Sequence, residues 1–381
     1  MLHAYHEDVE YYADRADGLL ASAQDGTAPA VAAFADLDAP LTAEGARRVV
    51  AAQHGLASWD ALRDHVAGLR ERGDPFAAAF RAIEAHDVDG LRARLDAAPE
   101  LVRAQGTNGN DLLGMATATC DERLVGLLLE RGADPGHANA HGWTPLHQAA
   151  SVGLPRLVEL LLDAGAPVDR DARGDGGTPL VAALFWGKRA TAERVAARGI
   201  LPRNLRTAAG LGELDLIGAV LADGSAGAHR GFYRPHGGFP AWAPADDPQQ
   251  ALDEALAWAA RNDRAEALDP LVAHGADVAA DVYRGTALAW AAAVGATAAI
   301  RRLVALGAGP SQRTTFGGLG HGQDATALHL AAQAGHLDAI AALLELGADP
   351  ACTDGLYDAT PAGWAEHGGQ SEAAELLRRA A

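Results

Sequence analysis

The chain of 381 residues is poor in cysteine, in lysine and in basic charge as a whole. Its two cysteines, Cys120 and Cys352, lie far apart, and Lys188 is its one lysine. Two distant cysteines indicate neither a disulfide framework nor a cysteine metal site. With 31 Lys and Arg against 50 Asp and Glu, the net charge is −19. Coulomb repulsion therefore argues against nucleic acid or an anionic membrane surface as a partner.

The chain also lacks the common motifs of metal sites and of phosphate binding. It contains no H-E-x-x-H, no paired C-x-x-C and no calcium loop with alternating carboxylates. The glycines of 317–320 are not followed by Lys-Ser/Thr, as a phosphate-binding loop requires. We therefore expect no metal and no cofactor.

Long hydrophobic runs are missing as well. Residues 1–8 are polar and acidic, without the basic and apolar segments of a secretory signal, and no later run approaches the length of a membrane-spanning helix. From these absences we expect a cytoplasmic protein with no membrane partner.

What the chain does contain is a unit of about 33 residues that returns along most of its length. The clearest copy spans 142–173 and opens with Thr144-Pro145-Leu146-His147. Thr144 and Pro145 are expected to start a short helix, Gly153 to end it, and a second helix to follow. Positions equivalent to Thr144 are Asp111, Thr178, Thr286, Thr326 and Thr360.

The T-P-L-H turn, the alanines at 149–150 and the L-L-L-x-x-G-A phrase at 160–166 are similar to the ankyrin repeat. The resemblance implies an all-α solenoid over 73–381, with about nine helix pairs including degenerate ends and a core that forms a continuous strip. It implies that His147 and His329 hydrogen-bond backbone between units. It also implies that the concave groove of the array binds a protein partner.

Residues 1–72 do not follow the repeat and are predicted to form helices over Val9–Ala23, Val31–Phe34, Ala43–Gln53 and Asp60–Arg72, with Ser58 as the N-cap of the last. A small linker, 26–30, is expected to separate the first two. The G-x-x-S-W-x-x-L-x-x-H phrase at 55–65 resembles helical segments that precede bacterial ankyrin arrays. We interpret this region as a helical cap for the first repeat.

The array departs from its period in two enlarged finger loops, 225–250 and 308–325. From Gly224 to the Thr-equivalent position Glu254 is 30 residues, and from Gly307 to Thr326 is 19, whereas a normal copy takes 13. Equivalent loops of an ankyrin array project from one edge, so the two inserts are expected to lie over the same stretch of groove. The first insert is rich in aromatic, arginine and histidine residues, which is unusual for a disordered linker.

Candidate binding residues lie in these inserts and beside them. They are Arg230, Phe232, Tyr233, Arg234, Trp242, Trp258, Arg261, Tyr283, Trp290, Phe316 and Trp364. Trp258, Trp290 and Trp364 share the position four residues after the Thr, where a tryptophan either fills a larger core or forms the wall of an apolar pocket. The arginines either bind a carboxylate or phosphate, or brace the loop by pairing with Asp246 and Asp247.

Two positions, seven and eight residues after the Thr, are expected to face the groove. They hold Phe185, Trp186, Arg261, Asn262, Gln333 and His367. For general acid–base chemistry the candidates are His236, His321 and His367, with Asp324, Tyr357 and Asp358 near them in the repeat geometry. No nucleophile elbow or triad spacing accompanies them.

Two functions follow from this pattern. The first is a scaffold that recognises a protein partner through its groove and finger loops. The alternative is an enzyme or small-molecule-binding protein whose inserts cover a pocket over 251–381, with metal-independent acid–base chemistry of a cyclase, isomerase or hydrolase type.

Overall fold

The structure is a computed structural model that describes residues 8–72, 75–106, 109–139, 142–172, 177–199, 201, 203–222, 224, 247–282, 285–316 and 322–381. Contacts divide the chain into two compact units. The first contains the described residues of Met1–Ala183 and Ala190–Gly199, and the second those of Leu184–Arg189, Ile200–His229 and Trp242–Ala381. None of the described helices has both the length and the apolar character needed to cross a membrane.

The N-terminal part of the first unit consists of four helices with a core of their own. They are α1 (Val9–Gln24), α2 (Ala28–Ala35), α3 (Ala43–Gln53) and α4 (Trp59–Arg72). The Ser58 hydroxyl accepts a hydrogen bond from the Ala61 N–H at 3.1 Å, as expected of an N-cap. Tyr12, Phe34, Val49 and Leu62 are buried between the helices. That the four helices cap the first repeat stays a prediction.

The predicted linker at 26–30 is shorter than expected. Thr27 is the N-cap of α2, and residues 28–30 form its first turn, with Pro29 near its start. Proline is well tolerated there because the first N–H groups of a helix have no intrahelical acceptor. The break between α1 and α2 therefore falls at Asp25 and Gly26.

From residue 75 on, the described residues contain eighteen helices that follow one another as nine successive pairs. They are α5 (Pro75–Glu84), α6 (Val88–Ala97), α7 (Leu112–Ala118), α8 (Glu122–Glu130), α9 (Pro145–Val152), α10 (Pro155–Asp163), α11 (Pro179–Phe185), α12 (Arg189–Ala196), α13 (Leu205–Leu211), α14 (Leu214–Ala222), α15 (Pro248–Arg261), α16 (Ala265–Ala273), α17 (Ala287–Ala293), α18 (Thr297–Ala305), α19 (Ala327–Ala334), α20 (Leu337–Glu345), α21 (Pro361–His367) and α22 (Ser371–Ala380). A 3-10 helix, Pro99–Arg103, follows α6.

A residue in the left-handed region separates the two helices of every described pair. The nine are His86, Cys120, Gly153, Gly187, Gly212, Asp263, Gly295, Gly335 and Gly369. Glycine adopts positive φ without the steric penalty that a Cβ imposes, which explains its dominance. Gly153 caps α9 with φ 87°, as the sequence predicts.

The histidines of the T-P-L-H turns link successive units, as the sequence predicts. In the first unit, the Nδ1 of His147 accepts from the Thr144 N–H at 3.2 Å, and its Nε2 lies 2.9 Å from the Gly177 carbonyl oxygen. In the second unit, the Nδ1 of His329 accepts from the Thr326 N–H at 3.1 Å, and its Nε2 lies 3.0 Å from the Ala359 carbonyl oxygen. This pattern needs a neutral ring that carries its proton on Nε2.

The buried His329 makes the stability of the second unit sensitive to pH. Burial lowers the pKa of the imidazole, and the hydrogen bond to the Ala359 carbonyl offsets part of this effect. The unfolded chain, with a histidine pKa of about 6.5, then takes up the proton first. Stability is complete above that pH and is lost as the pH falls through the folded-state pKa.

We therefore expect the urea concentration at the unfolding midpoint to decrease as the pH is lowered from 7 to 5. The variant His329→Gln should be less stable at pH 7, because it loses the bond to Ala359, but should show a shallower pH dependence. Chemical unfolding at a series of pH values measures both effects. If the urea midpoint changed equally with pH in the wild type and in His329→Gln, the pH dependence could not be assigned to His329.

Exposed ion pairs connect the second helices of neighbouring pairs in the first unit. Arg131 pairs with Asp96 at 2.7 Å, Arg156 with Glu122 at 3.0 Å, and Arg194 with Glu159 at 2.7 Å. Each arginine lies one repeat after its partner in the sequence. Solvent-exposed pairs contribute little to stability, so this series orients neighbouring helices more than it stabilises them.

The enlarged loops differ from expectation at their described ends. Residues 225–246 lie outside the described part of the chain. The Asp247 side chain caps α15, so residues 248–250 are helical and Glu254 lies inside the helix rather than at its start. In the second loop, β1 (Arg313–Thr314) pairs antiparallel with β2 (Ala325–Thr326). The described residues are therefore mainly helical, and their little sheet consists of this pair and an isolated antiparallel bridge between Gln105 and Asp111.

Candidate functional site

The second unit contains a pocket of about 360 Å³ near its C-terminal end. We call it the C-terminal pocket, and its lining residues are Gln333, Tyr357, Ala359, Gly363, Trp364 and His367. Tyr357, Trp364 and His367 are among the residues that the sequence nominates for binding or chemistry. Gln333 occupies one of the positions predicted to face the groove.

Two helices and one loop position these side chains. Gln333 lies near the end of α19, Trp364 and His367 lie on α21, and Tyr357 lies on the loop between α20 and α21. At Gly368 a Cβ would lie 2.5 Å from the Gln333 carbonyl oxygen. Glycine therefore lets the end of α21 approach the end of α19, so that Gln333 and His367 line one cavity.

The buried carboxylate of Asp354 holds the loop in place. Its Oδ1 accepts from the N–H groups of Leu356 and Tyr357, both at 2.7 Å. Its Oδ2 accepts from the Ala359 N–H at 3.2 Å and from the Trp364 indole Nε1–H at 2.9 Å. One side chain thus fixes both the loop backbone and the tryptophan of the pocket.

The pKa of Asp354 reflects these hydrogen bonds. Burial raises it, but the donors from Tyr357, Trp364, Leu356 and Ala359 together hold the pKa below its usual range. Hydrogen bonds to the charged form of a carboxyl group favour that form. Asp354 is therefore a carboxylate at neutral pH and a strong acceptor for all four donors.

The mouth of the pocket carries an exposed aromatic ring. Tyr357 is 66% exposed and its neighbour Leu356 is 39% exposed, whereas Trp364 is 6% exposed. Trp364 also meets the ring of His329 edge to face, with 5.4 Å between ring centres. The tryptophan therefore belongs to the core and to the pocket wall, while Tyr357 is displayed outward by a hydrogen-bonded loop.

The acid–base candidates are only partly brought together. His367 and Tyr357 line the pocket, but Asp324 and Asp358 are not among its lining residues. Asp324 packs against Gly355, and Asp358 adopts a positive φ of 50°. Among the described residues, no hydrogen bond joins His367 to Tyr357, Asp324 or Asp358, and no group of three His, Cys, Asp or Glu is arranged to hold a metal ion.

Arg261 is placed differently from the prediction. Its side chain, expected to face the groove, is buried with 2% exposure. The guanidinium carbon lies 3.8 Å from the ring centre of Trp290 and 4.9 Å from that of Phe185. The Nη1–H donates to the Phe185 carbonyl at 2.8 Å and the Nε–H to the Ala257 carbonyl at 3.3 Å. Stacking and carbonyl acceptors compensate the burial of this cation.

The neighbouring Asn262 is also buried rather than groove-facing, with 1% exposure. Its Nδ2 donates to the carbonyls of Leu184 at 2.8 Å and Trp258 at 2.9 Å. A second buried arginine, Arg206, lies 4.5 Å over the ring of Trp258 and 3.7 Å from the Glu254 carboxylate. This part of the second unit is a core with an unusual number of buried polar groups.

The three tryptophans at the shared repeat position therefore have two different environments. Trp258 and Trp290 are each 3% exposed and form part of the buried cage around the arginines. Phe316 packs on Trp290 with ring centres 4.7 Å apart. Of the three tryptophans, Trp364 lines the C-terminal pocket. The core interpretation thus holds for the first two.

Several nominated residues lie outside the described part of the chain. They are Arg230, Phe232, Tyr233, Arg234, His236, Trp242, Tyr283 and His321. Their roles in binding or catalysis stay predictions.

The sequence reasoning missed Asp354, which orders the pocket loop. The available signal was the dipeptide Asp354-Gly355 shortly before Thr360, because aspartate side chains commonly hydrogen-bond backbone N–H groups two residues on. Here the Leu356 N–H donates to Oδ1 of Asp354 at 2.7 Å. The indole bond from Trp364 has no comparable local signal.

These features define a helical repeat protein, and it contains ankyrin repeats. Family models described as ankyrin repeats match residues 113–203, as three copies, and residues 323–355. The first match includes the His147 turn, and the second includes the His329 turn and Asp354.

Curated relatives share the repeats over limited lengths. Protein PhlB of Serratia liquefaciens is 32% identical over 111 residues, which cover 29% of this chain and 48% of that protein. Protein phosphatase 1 regulatory subunit 27 of Homo sapiens is 47% identical over 53 residues, 14% of this chain and 33% of that protein. An ankyrin repeat, SAM and basic leucine zipper domain-containing protein of Loxodonta africana is 34% identical over 103 residues, 26% of this chain and 22% of that protein. The chain thus spans less than half of the length of these relatives.

Proposed function

We propose that this protein binds a protein partner, and that the surface around the C-terminal pocket takes part in that binding together with the groove and finger loops of the repeat array. Ankyrin repeats generally mediate protein–protein interaction. One relative is named as a regulatory subunit of protein phosphatase 1, which is a role in an assembly with another protein. These two facts supply the general part of the proposal.

The observation that carries the proposal is the display of Tyr357. Its ring is 66% exposed, beside the exposed Leu356, yet its own backbone N–H is bound to the buried Asp354. Tyrosine is enriched among the residues that dominate binding energy at interfaces. A loop that is already ordered loses less conformational entropy on association than a loose one. An exposed aromatic ring on an ordered loop therefore suits recognition of a protein surface.

A second candidate function rests on the volume of the pocket. Ligand pockets in proteins typically have about 300–1,000 Å³, and the C-terminal pocket, at about 360 Å³, lies at the lower end of that range. His367 and Tyr357 would be its titratable groups. Since, among the described residues, no hydrogen bond joins His367 to Tyr357, Asp324 or Asp358, the pocket supports small-molecule binding better than catalysis.

A display experiment tests the proposed function. Random peptides displayed on phage are selected on the whole protein. The affinity of each selected clone is then measured for the wild type and for the Tyr357→Ala variant. We expect clones that bind the wild type to lose about thirtyfold in affinity, the size of an interface hot spot. Leu214→Ala is the matched control, because Leu214 is a hydrophobic residue of the same unit that is 46% exposed on α14.

Clones that bind wild type and Tyr357→Ala equally would contradict this assignment of the surface. A thermal-shift screen of metabolites on wild type and His367→Ala addresses the alternative function. Stabilisation by a metabolite that disappears in His367→Ala would favour the small-molecule pocket.

A further inference from the structure

We infer that the C-terminal pocket accepts a cationic side chain, an arginine or a lysine, from the partner protein. This inference rests on the proposed function and states the chemistry of the residue that the pocket recognises. It depends on the charge of the surrounding segment, on the lining of the pocket and on the exposed ring at its mouth.

The segment that builds the pocket is strongly acidic. Residues 322–381 contain nine carboxylates and two arginines. Three of the carboxylates pair with an arginine: Glu366 with Arg378, Glu375 with Arg379, and Glu345 with Arg301 from outside the segment. The carboxylates are Asp324, Asp338, Glu345, Asp349, Asp354, Asp358, Glu366, Glu372 and Glu375. The resulting negative potential favours the approach of a cation and opposes that of an anion.

The other charged groups near the loop do not reverse this balance. Arg313 approaches the base of the loop, where its Nη1 donates to the Thr353 carbonyl at 2.9 Å and to the Asp324 carbonyl at 3.4 Å. It is not among the described residues that line the pocket, and neither is any other arginine or lysine. The lining also contains the imidazole of His367.

The lining itself suits a cation with an apolar stem. Tyr357 and Trp364 contribute aromatic rings, whose faces attract ammonium and guanidinium groups. Gln333 contributes an amide oxygen that can accept a hydrogen bond. The methylene stem of lysine or arginine packs well on apolar surface while its charged end stays near water. An acidic side chain would find no arginine or lysine among the described residues of this lining and an unfavourable potential around it.

A peptide-library measurement tests the inference on the whole protein. Short libraries have neutral residues at the random positions and one fixed central residue, which is arginine, lysine, citrulline or leucine. Citrulline matches arginine in shape but has no charge. We expect the arginine and lysine libraries to bind about tenfold more tightly than the citrulline library, the gain of a cation held on aromatic rings. The preference should shrink at high salt, because screening weakens exposed charge interactions.

Two variants localise the effect. Tyr357→Leu keeps an apolar side chain but removes the π face, so the arginine library should lose affinity while the leucine library keeps it. Asp358→Asn removes one nearby charge at a position of positive φ that asparagine tolerates. It should weaken the arginine library several-fold and leave the citrulline library unchanged.

Equal binding of the arginine and citrulline libraries, both dependent on Tyr357, would overturn the cationic specificity and leave protein binding at this surface intact. If the peptides selected in the display experiment bound the wild type and Tyr357→Ala with equal affinity, the proposed function itself would be overturned. The two failures are therefore distinguishable.

Discussion

Replacement of Arg261 by alanine is expected to lower the free energy of unfolding by about 3 kcal/mol or more. The guanidinium is buried between Trp290 and Phe185 and donates to the Phe185 carbonyl at 2.8 Å. Truncation leaves a cavity between the rings and a buried carbonyl without this donor, and both effects add. Urea unfolding followed by tryptophan fluorescence measures the loss, and two of the seven tryptophans, Trp258 and Trp290, lie beside the arginine.

Arg301→Ala is the matched control for this prediction. Arg301 pairs with Glu345 at 2.6 Å, but both side chains are about half exposed, at 49% and 61%. An exposed pair of this kind contributes about 1 kcal/mol or less. Arg261→Lys should be intermediate, because an ammonium keeps the charge but lacks the planar stacking group. Equal effects of Arg261→Ala and Arg301→Ala would show that the buried cage does not stabilise the fold.

The second large effect is expected at Asp354. Asp354→Ala removes the acceptor of three backbone N–H groups and of the Trp364 indole, at a cost of about 3 kcal/mol. The amides of Leu356, Tyr357 and Ala359 should then exchange hydrogen much faster, and the selected peptides should bind more weakly because Tyr357 is no longer held in place. Hydrogen exchange on the whole protein measures the first effect, and peptide binding measures the second.

Asp354→Asn separates the two oxygens of this carboxylate. Its amide oxygen can keep the bonds from Leu356 and Tyr357, while its NH₂ group meets the donors of Ala359 and Trp364. We expect roughly half of the effect of the alanine variant. Asp349→Ala is the control, since this exposed aspartate accepts one backbone bond, from Ala351 at 2.9 Å. If Asp354→Ala lowered the free energy of unfolding no more than Asp349→Ala does, the role of Asp354 in ordering the loop would be contradicted.

The same carboxylate predicts an acid-induced loss of stability. Because hydrogen bonds hold the folded-state pKa of Asp354 below that of the unfolded chain, its ionisation stabilises the fold above about pH 4. This contribution is lost as the pH falls through the folded-state pKa. Asp354→Asn should lack this part of the acid transition, which the pH series proposed for His329 would reveal.

Much of the repeat architecture could be predicted because its signals are local. Thr144 and His147 lie three residues apart and cap the same helix, and Gly153 ends it nine residues after the threonine. Such hydrogen bonds depend on backbone conformation within one or two turns, so the residue pattern states them directly. The same holds for Ser58, whose bond to the Ala61 N–H begins α4.

The candidate site was less predictable because its contacts join distant parts of the chain. Arg261 and Arg301 are both arginines on helices of the second unit, yet one donates to a carbonyl 76 residues away and the other forms an exposed ion pair. Helix α15 begins at Pro248, inside the stretch predicted as the first enlarged loop, and the repeat period does not indicate this start. Period and composition alone therefore do not assign burial at α15.

By itself the sequence determined that the chain is built from short helix pairs with ankyrin repeats, where the helices of the clearest copy begin and end, and which histidines join successive units. Only the tertiary structure decided the different environments of Trp258, Trp290 and Trp364, which occupy the same position of the repeat. The physical reason is that the environment of a side chain is completed by neighbouring elements. Buried arginines meet Trp258 and Trp290, whereas Asp354 and an exposed tyrosine loop make Trp364 the wall of a pocket.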